Sequence, residues 1–293
     1  MTLITFKQTT PKRRPNMNEN HNNQKKIAVI NDFSGFGRCS IAVALPIISA
    51  MKIQCCPVPT SIFSNHTGFK SYFFEDYTDR MERYIDEWKK LGLRFSGIST
   101  GFMGSVDQIR IVTDFFKYFA DEDTTVIVDP VMGDYGKAYP TYTKEMCMEM
   151  KKLVSYADII TPNLTEACIL ADEDYHDKRK IRDLEKLALK LSDMGPEKVV
   201  ITGIIQGGFI VNYCYEKGQS GRMRKVHRVG EQRSGTGDIF ASIIAADAVN
   251  GVPFYDSVRK ASLFIKKCIE RSIELDLPLT DGVCFEEVLH KLR

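Results

Sequence analysis

The sequence is short of several features that would settle its class at once. Among 293 residues there is one tryptophan and no apolar run near the ~18 residues that cross a bilayer. Charge of either sign is scarcely in excess, since 40 Lys and Arg face 38 Asp and Glu for a net +2. A membrane span is thereby excluded, and 43% apolar content excludes low-complexity disorder. Eight cysteines are present, yet no two form Cys-x-x-Cys and no His-x₃₋₅-His pair accompanies them, which argues against structural zinc. With no export signal they read as reduced thiols in small core positions, and the protein as cytoplasmic. Gly-x₄-Gly-Lys-Ser/Thr is absent, which excludes a P-loop kinase. Gly35-Phe36-Gly37 opens like a dinucleotide fingerprint, but Ser40 stands where the third glycine belongs. Nothing indicates a Ser-His-Asp or Cys-His nucleophile.

What charge there is lies unevenly. Residues 1–26 hold six basic side chains and one acid, Glu19, whereas the remainder holds 34 basic against 37 acidic. Residues 1–25 are expected to be a disordered basic tail, or an overextended start with Met17 as an alternative. The mildly acidic body offers no general field for nucleic acid.

From residue 26 short apolar runs alternate with amphipathic stretches, the βαβ pattern. Strands are expected at Lys26–Asn31, Ile53–Val58, Phe95–Ser99, Thr125–Val128, Asp158–Ile160, Lys198–Thr202, Phe209–Tyr215 and Met223–Val229. Helices are expected at Cys39–Met51, Tyr77–Leu91, Val106–Phe119, Lys144–Val154, Leu164–Leu170, Ile181–Met194, Ile239–Val249, Tyr255–Arg271 and Phe285–Leu292. Pro46 predicts a kink or a late start in the first helix. The Ile- and Val-rich strands lack strict alternation, as parallel strands buried on both faces do. The polar turn Glu216–Gly221 between two strand-like segments predicts an antiparallel hairpin. One α/β fold over residues 26–293 is the reading: three α/β/α layers, a mostly parallel central sheet, and the hairpin toward its C-terminal half.

Ligands of such sheets bind beyond the carboxyl ends of the strands, and the residues there are polar and glycine-rich. Gly235-Thr236-Gly237-Asp238 precedes an Ala-rich helix pattern, so its amides can form an anion pocket with Asp238 beside it. An Asp in a first helical turn equally suits the helix dipole. Asp129 and Asp134, across Pro130 and Gly133, have the hard oxygens that suit Mg²⁺, or belong to an ordinary Asp-Pro turn. Asn163 and Glu166 have capping-box spacing, which leaves Glu166 free or not free for a metal–phosphate site. His66, between Asn65 and Thr67, can read a polar ring substituent or satisfy its own loop.

In order along residues 26–293, four segments resemble the pyridoxal kinase family of the ribokinase-like superfamily. They are Ser64-Asn65-His66-Thr67-Gly68-Phe69, Asp129-Pro130-Val131-Met132-Gly133-Asp134, Ile159-Ile160-Thr161-Pro162-Asn163-Leu164-Thr165-Glu166-Ala167, and Gly235-Thr236-Gly237-Asp238-Ile239-Phe240-Ala241. The resemblance implies ATP-dependent phosphorylation of the 5′-hydroxyl of pyridoxal, pyridoxamine or pyridoxine. It implies Asp238 as the base and Gly235, Thr236 and Gly237 as the anion hole. It puts Asp129, Asp134 and Glu166 at Mg²⁺ and phosphate, Thr161 and Asn163 at the nucleotide phosphates, and Thr202 at phosphate and a monovalent cation such as K⁺. Ser61, Phe63, His66 and Thr67 would line the vitamin pocket. The family also implies a homodimer.

Two positions depart from the family. Where many members have Ser-His after the first strand this chain has Asn31-Asp32, and Asp32 aligns best with the ring-holding group. Where some members place Tyr over the ring it has Phe102. Competing readings are a hydroxymethylpyrimidine or sugar kinase of the same superfamily, a non-catalytic vitamin-binding relative and, last, a Rossmann oxidoreductase.

Overall fold

The computed structural model describes residues 20–292. The chain runs β1 (Lys26–Ser34), α1 (Ser40–Ala50), β2 (Gln54–Phe63), β3 (Phe74–Asp76), α2 (Thr78–Lys90), β4 (Gly97–Thr100), α3 (Val106–Phe119), β5 (Thr125–Val128), β6 (Gly133–Asp134) and β7 (Lys137–Ala138). It continues with α4 (Lys144–Val154), β8 (Ile159–Ile160), α5 (Leu164–Ala171), α6 (Ile181–Ser192), β9 (Lys198–Gln206), β10 (Phe209–Glu216), β11 (Arg222–His227), α7 (Thr236–Asn250) and α8 (Phe254–Glu274). Two 3₁₀ turns, Leu279–Asp281 and Glu286–Leu292, follow, the second standing where an α-helix was expected.

One sheet takes nine strands in the order β11-β10-β9-β8-β5-β4-β1-β2-β3, and β6-β7 form a separate ribbon. The strands from β9 across to β2 are parallel. The expected hairpin is present as β10-β11, with β10 antiparallel to β9. Sequence patterning missed the three-residue edge strand β3 and the ribbon, both too short to show a period.

Alternation inside β1 explains its unbroken apolar run. Ala28 and Ile30 enter one core with α2–α6, while Ile27 and Val29 enter a second core with α1, α7 and α8. Val126 and Val128 against Ile127 do the same in β5. Side chains of period two therefore feed both faces. Helix α7 is buried from Ile239 to Asp247, apolar there except for Ser242 and Asp247, because it lies between the sheet and α1 and α8.

Helix α1 starts at Ser40 and runs through Pro46, so the expected late start does not occur. An interior proline costs about 3 kcal/mol. Burial of Ile41, Val43, Ile47 and Ile48 at ~1.5–3 kcal/mol each outweighs it. Of the expected tail, residues 1–19 lie outside the described residues. Residues 20–25 lie against the fold: Asn22 donates to the Gly92 carbonyl (3.2 Å) and accepts from Arg94 N–H (2.8 Å), and Lys25 donates to the Val249 carbonyl (2.9 Å). All eight cysteines are free and six are buried. Among the described residues no helix is long and apolar enough to cross a membrane.

The first core is built on aromatic rings. Phe115 lies 4.4 Å from Phe119, 6.0 Å from Phe95 and 6.4 Å from Trp88 between ring centroids. Phe115→Ala is expected to cost ~3–5 kcal/mol, read from the urea midpoint with the single Trp88 as fluorescence probe.

Candidate active site

The strand order reverses around β1, with β2 on one side and β4 on the other, and it is beyond the carboxyl ends at such a reversal, the crevice, that sheets of this kind bind ligands. The ends of β1, β4, β5 and β8, the middle of β9 and the first turn of α7 supply the side chains there.

The α7 turn is fixed by Gly235, at φ +85°, where a Cβ would stand 2.2 Å from the Arg38 carbonyl oxygen. Only glycine fits that approach. Arg233 ties the preceding loop down through the carbonyls of Leu277 and Pro278 (2.8 Å each). The amides of the first turn, having no partners one turn back, face the crevice end of the helix.

Asp238 is half-buried there. Its Oδ1 accepts from Asn31 Nδ2 (3.3 Å), and the carboxylate also takes the Ser40 N–H. Desolvation raises its pKa, and those bonds hold the rise back. Asn31 Oδ1 in turn accepts the N–H groups of Asp32 (2.9 Å) and Phe102 (2.8 Å). Asp32 does not open to the crevice. Its two carboxylate oxygens take the hydroxyls of Ser40 (2.6 Å) and Ser34 (3.2 Å), and burial pushes it up to about 6. The β1–β2 register shifts here, so that Thr60 and Ser61 together stand opposite Asp32.

Beyond β5 and β8 lies a second group of acids. Thr161 donates to Asp129 (2.9 Å), whose pKa burial pushes up to about 7. Glu166 accepts from Met132 N–H (3.2 Å) and Asn163 N–H (2.8 Å), while Asn163 caps Glu166 N–H (3.0 Å). The capping box is thus real, and it sets a buried carboxylate, raised well above its ordinary value by burial and then by Asp129, at the edge of the site. Asp134 accepts from Tyr135 N–H (2.9 Å) and Gln232 Nε2 (3.3 Å), and the Tyr135 hydroxyl donates to Gln232 Oε1. Burial raises the Tyr139 hydroxyl, and the charges of Glu166, Asp134, Asp129 and Asp238 raise it further, which places all four acids within electrostatic range of one ring. Among the described residues no three His, Cys, Asp or Glu side chains come close enough to hold a metal by themselves. Thr202 pairs with Asn163 as an isolated bridge and donates to the Pro162 carbonyl (3.4 Å).

On the β2 side, Ser61 is buried and its hydroxyl has no partner. Phe63 packs on Phe74 (4.8 Å) and Tyr72 (5.8 Å). His66 accepts Gly68 N–H at Nδ1 (3.0 Å) and donates from Nε2 to the Thr280 carbonyl (2.8 Å), so both ring nitrogens are engaged. Thr67 is exposed and Phe102 half-buried. Sequence reading passed over Ser40, Tyr135, Tyr139 and Gln232. The only signal was glycine within the ribbon, Gly133 in β6 and Gly136 in its turn, and Ser40 gave none.

Three layers, this sheet order and the glycine turn opening α7 define a protein of the ribokinase-like class. A family model described as phosphomethylpyrimidine kinase matches residues 44–279, and the chain belongs to that family. A phosphomethylpyrimidine kinase structure from Bacteroides thetaiotaomicron is similar at 39% identity and TM-score 0.91, covering 93% of this chain and 95% of that one. A second crystal form of it, with pyridoxal, gives 38% identity and TM-score 0.88 over 92% and 96%. Pyridoxal kinase from Arabidopsis thaliana is 29% identical over 198 residues, 64% of this chain. That match spans 62% of the Arabidopsis protein's length, less than two thirds.

A carboxyl whose folded pKa lies above its unfolded value binds its proton more tightly when folded, so ionisation costs stability as pH rises. For Asp32, from an ordinary 3.8 to about 6, the full cost is ~3 kcal/mol, lost between about pH 4 and pH 6. Asp32→Asn has no proton to lose. Its unfolding free energy should fall ~2–3 kcal/mol less than wild type between pH 4 and pH 7.5, measured by urea denaturation at each pH.

Proposed function

We propose that the protein transfers the γ-phosphoryl group of ATP to the 5′-hydroxyl of pyridoxal, pyridoxamine or pyridoxine. The observation that carries this reading is Asp238 in the first turn of α7, following Gly235-Thr236-Gly237 and hydrogen-bonded to Asn31 at the carboxyl end of β1. The Bacteroides structure with pyridoxal supports the choice of acceptor.

The acceptor oxygen attacks phosphorus, its bond to phosphorus forms as the bond to the β-phosphate oxygen breaks, and its proton passes to Asp238. The transition state is loose, so positioning and charge stabilisation dominate. Alignment of hydroxyl and phosphoryl supplies ~7–11 kcal/mol, and each well-placed amide donor from Gly235, Thr236 or Gly237 roughly 3–4 kcal/mol. Desolvation lifts Asp238 above the ordinary carboxylate range, which makes it a stronger base as the proton leaves.

Asp129, Asp134 and Glu166 offer the hard oxygens Mg²⁺ takes and would hold it only together with phosphate and water oxygens, since the three do not close a site by themselves, and the raised pKa values of Asp129 and Glu166 mark buried charge that a cation would relieve. Bound there, Mg²⁺ would neutralise phosphate charge. Thr161 and Asn163 face the same phosphates, with Thr202 beside them, where a monovalent cation such as K⁺ is expected. Ser61, Phe63, His66, Thr67 and Phe102 form the acceptor side, and the buried Ser61 hydroxyl is its unpartnered polar group. The family resemblance implies a homodimer, and the free cysteines fit a cytoplasmic setting.

The second reading is a hydroxymethylpyrimidine acceptor, favoured by the family description. Mg·ATP turnover measured on pyridoxal, pyridoxamine, pyridoxine and hydroxymethylpyrimidine decides between them. Preference for the pyrimidine would replace the first reading. Asp238→Asn is expected to lower kcat by roughly 10²–10⁴ with little change in the KM for ATP, and near-normal turnover in that variant would overturn the assignment of the base.

A further inference from the structure

Asn31 and Asp32 close β1 at a point where the structure gives them unusual tasks. The β1–β2 register breaks between Asn31 and Phe33, which turns successive side chains out of simple alternation. Asn31 reaches the Asp238 carboxylate with its amide nitrogen, while its oxygen is held by two backbone N–H groups, those of Asp32 and Phe102. Two donors on one oxygen fix which end of the amide faces Asp238. The fit is tight on the far side, where a Cβ at Gly101 would lie 2.3 Å from Asn31 Nδ2.

A second arm comes from α1. Ser40 sits at φ +54°, in the left-handed region that a serine seldom occupies, and Arg38 two residues earlier at +45°. Such backbone costs of order 1–3 kcal/mol and persists where its surroundings impose it. In this conformation the Ser40 N–H meets Asp238 while its hydroxyl meets Asp32 Oδ1 at 2.6 Å. Asp32, buried and held also by Ser34, is the anchor for that arm.

We propose that Asn31 is a positioning residue for the phosphoryl transfer, aiming the Asp238 carboxylate at the acceptor, with Ser40 and Asp32 as the opposing arm. On this assignment Asp32 serves Asp238 from below and does not hold the acceptor ring. The inference rests on Asp238 being the base. Displacing a reacting group by about 1 Å can cost 10²-fold in rate, which sets the scale for losing the Asn31–Asp238 hydrogen bond.

The informative variant is Asn31→Asp, which keeps the shape and the oxygen accepting Phe102 and Asp32 N–H but replaces the donor facing Asp238. Asn31→Ala accompanies it, with the Trp88 urea midpoint of each as the check on folding. Turnover of Mg·ATP with pyridoxal is measured for each in the wild-type and Asp238→Asn backgrounds. Asn31→Asp is expected to lower kcat roughly 10- to 100-fold, with KM for ATP and pyridoxal within about twofold. In the Asp238→Asn background the same change should cost less than about twofold, because a residue acting through Asp238 has nothing left to aim. A kcat for Asn31→Asp within twofold of wild type overturns the assignment, as does an equal loss in both backgrounds. If Asp238→Asn itself turns over normally, the base assignment has failed, a separate result.

Discussion

Desolvated negative charge is the constraint around which this fold is arranged. Asp32, Asp129, Glu166 and Asp238 gather at one end of one sheet, and burial raises the pKa of each. Among the described residues none of them is ion-paired with a lysine or arginine. Neutral donors hold them: the hydroxyls of Ser34, Ser40 and Thr161, the amide of Asn31, and the N–H groups of Ser40, Met132 and Asn163. The positive end of α7 adds to these. Hydrogen bonds of this kind orient a carboxylate without cancelling its charge, so the site keeps an attraction for cations that fixed ion pairs would have removed. Carboxylates arranged in this way suit a polyanionic ligand that brings its own countercharge.

Holding that arrangement requires backbone in conformations that side chains resist. Arg38 and Ser40 carry positive φ, and Gly235 meets Arg38 where no Cβ would fit. Further contacts hold the same knot. Arg38 pairs with Glu286 (2.7 Å) and donates to the Asp281 carbonyl, His66 donates to the Thr280 carbonyl, and Gly282 packs within 2.5 Å of the Gly37 carbonyl oxygen measured from where its Cβ would be. The loops after β1 and β2, the turn before α7 and the last 3₁₀ segments thus meet at one place. Local strain is shared among elements that are each anchored elsewhere.

This division explains what could be read from the sequence. Residues that work as elements were legible: Thr125–Val128, Val106–Phe119 and Lys144–Val154 fall where periodicity puts them, and Gly235–Asp238 announces a helix start. The capping box of Asn163 and Glu166 was legible as spacing, but only the fold shows that it buries Glu166 beside Asp129. What was not legible depends on register and long-range approach. Asp32 turns inward because β2 gains a residue opposite it, and nothing in Asn31-Asp32-Phe33 records what β2 does. The ribbon β6-β7 has two residues per strand, too few for any pattern. Ser40 is an ordinary serine until its φ is known.

The two sides of the crevice differ in how completely their polar groups are committed. On the α7, β5 and β8 side, Asp238, Asp129, Glu166 and Asn163 all hold partners that fix their direction. On the β2 side, the Ser61 hydroxyl is buried without one, Thr67 is exposed, and Phe69, beside His66, meets Phe36 at a tilt with 5.6 Å between ring centroids, Phe36 being 54% exposed. An unpaired buried hydroxyl costs ~1–3 kcal/mol, a cost that any hydrogen-bonding partner able to reach it would remove. Preorganised groups stabilise a reaction common to many acceptors, whereas uncommitted groups are completed by whichever ring supplies the missing partner. On the function proposed above, the choice between a pyridine and a pyrimidine would fall to this less committed side, with Ser61, Thr67 and Phe102, and the transfer chemistry to the opposite one, while His66, both ring nitrogens engaged, would serve the loop that carries it.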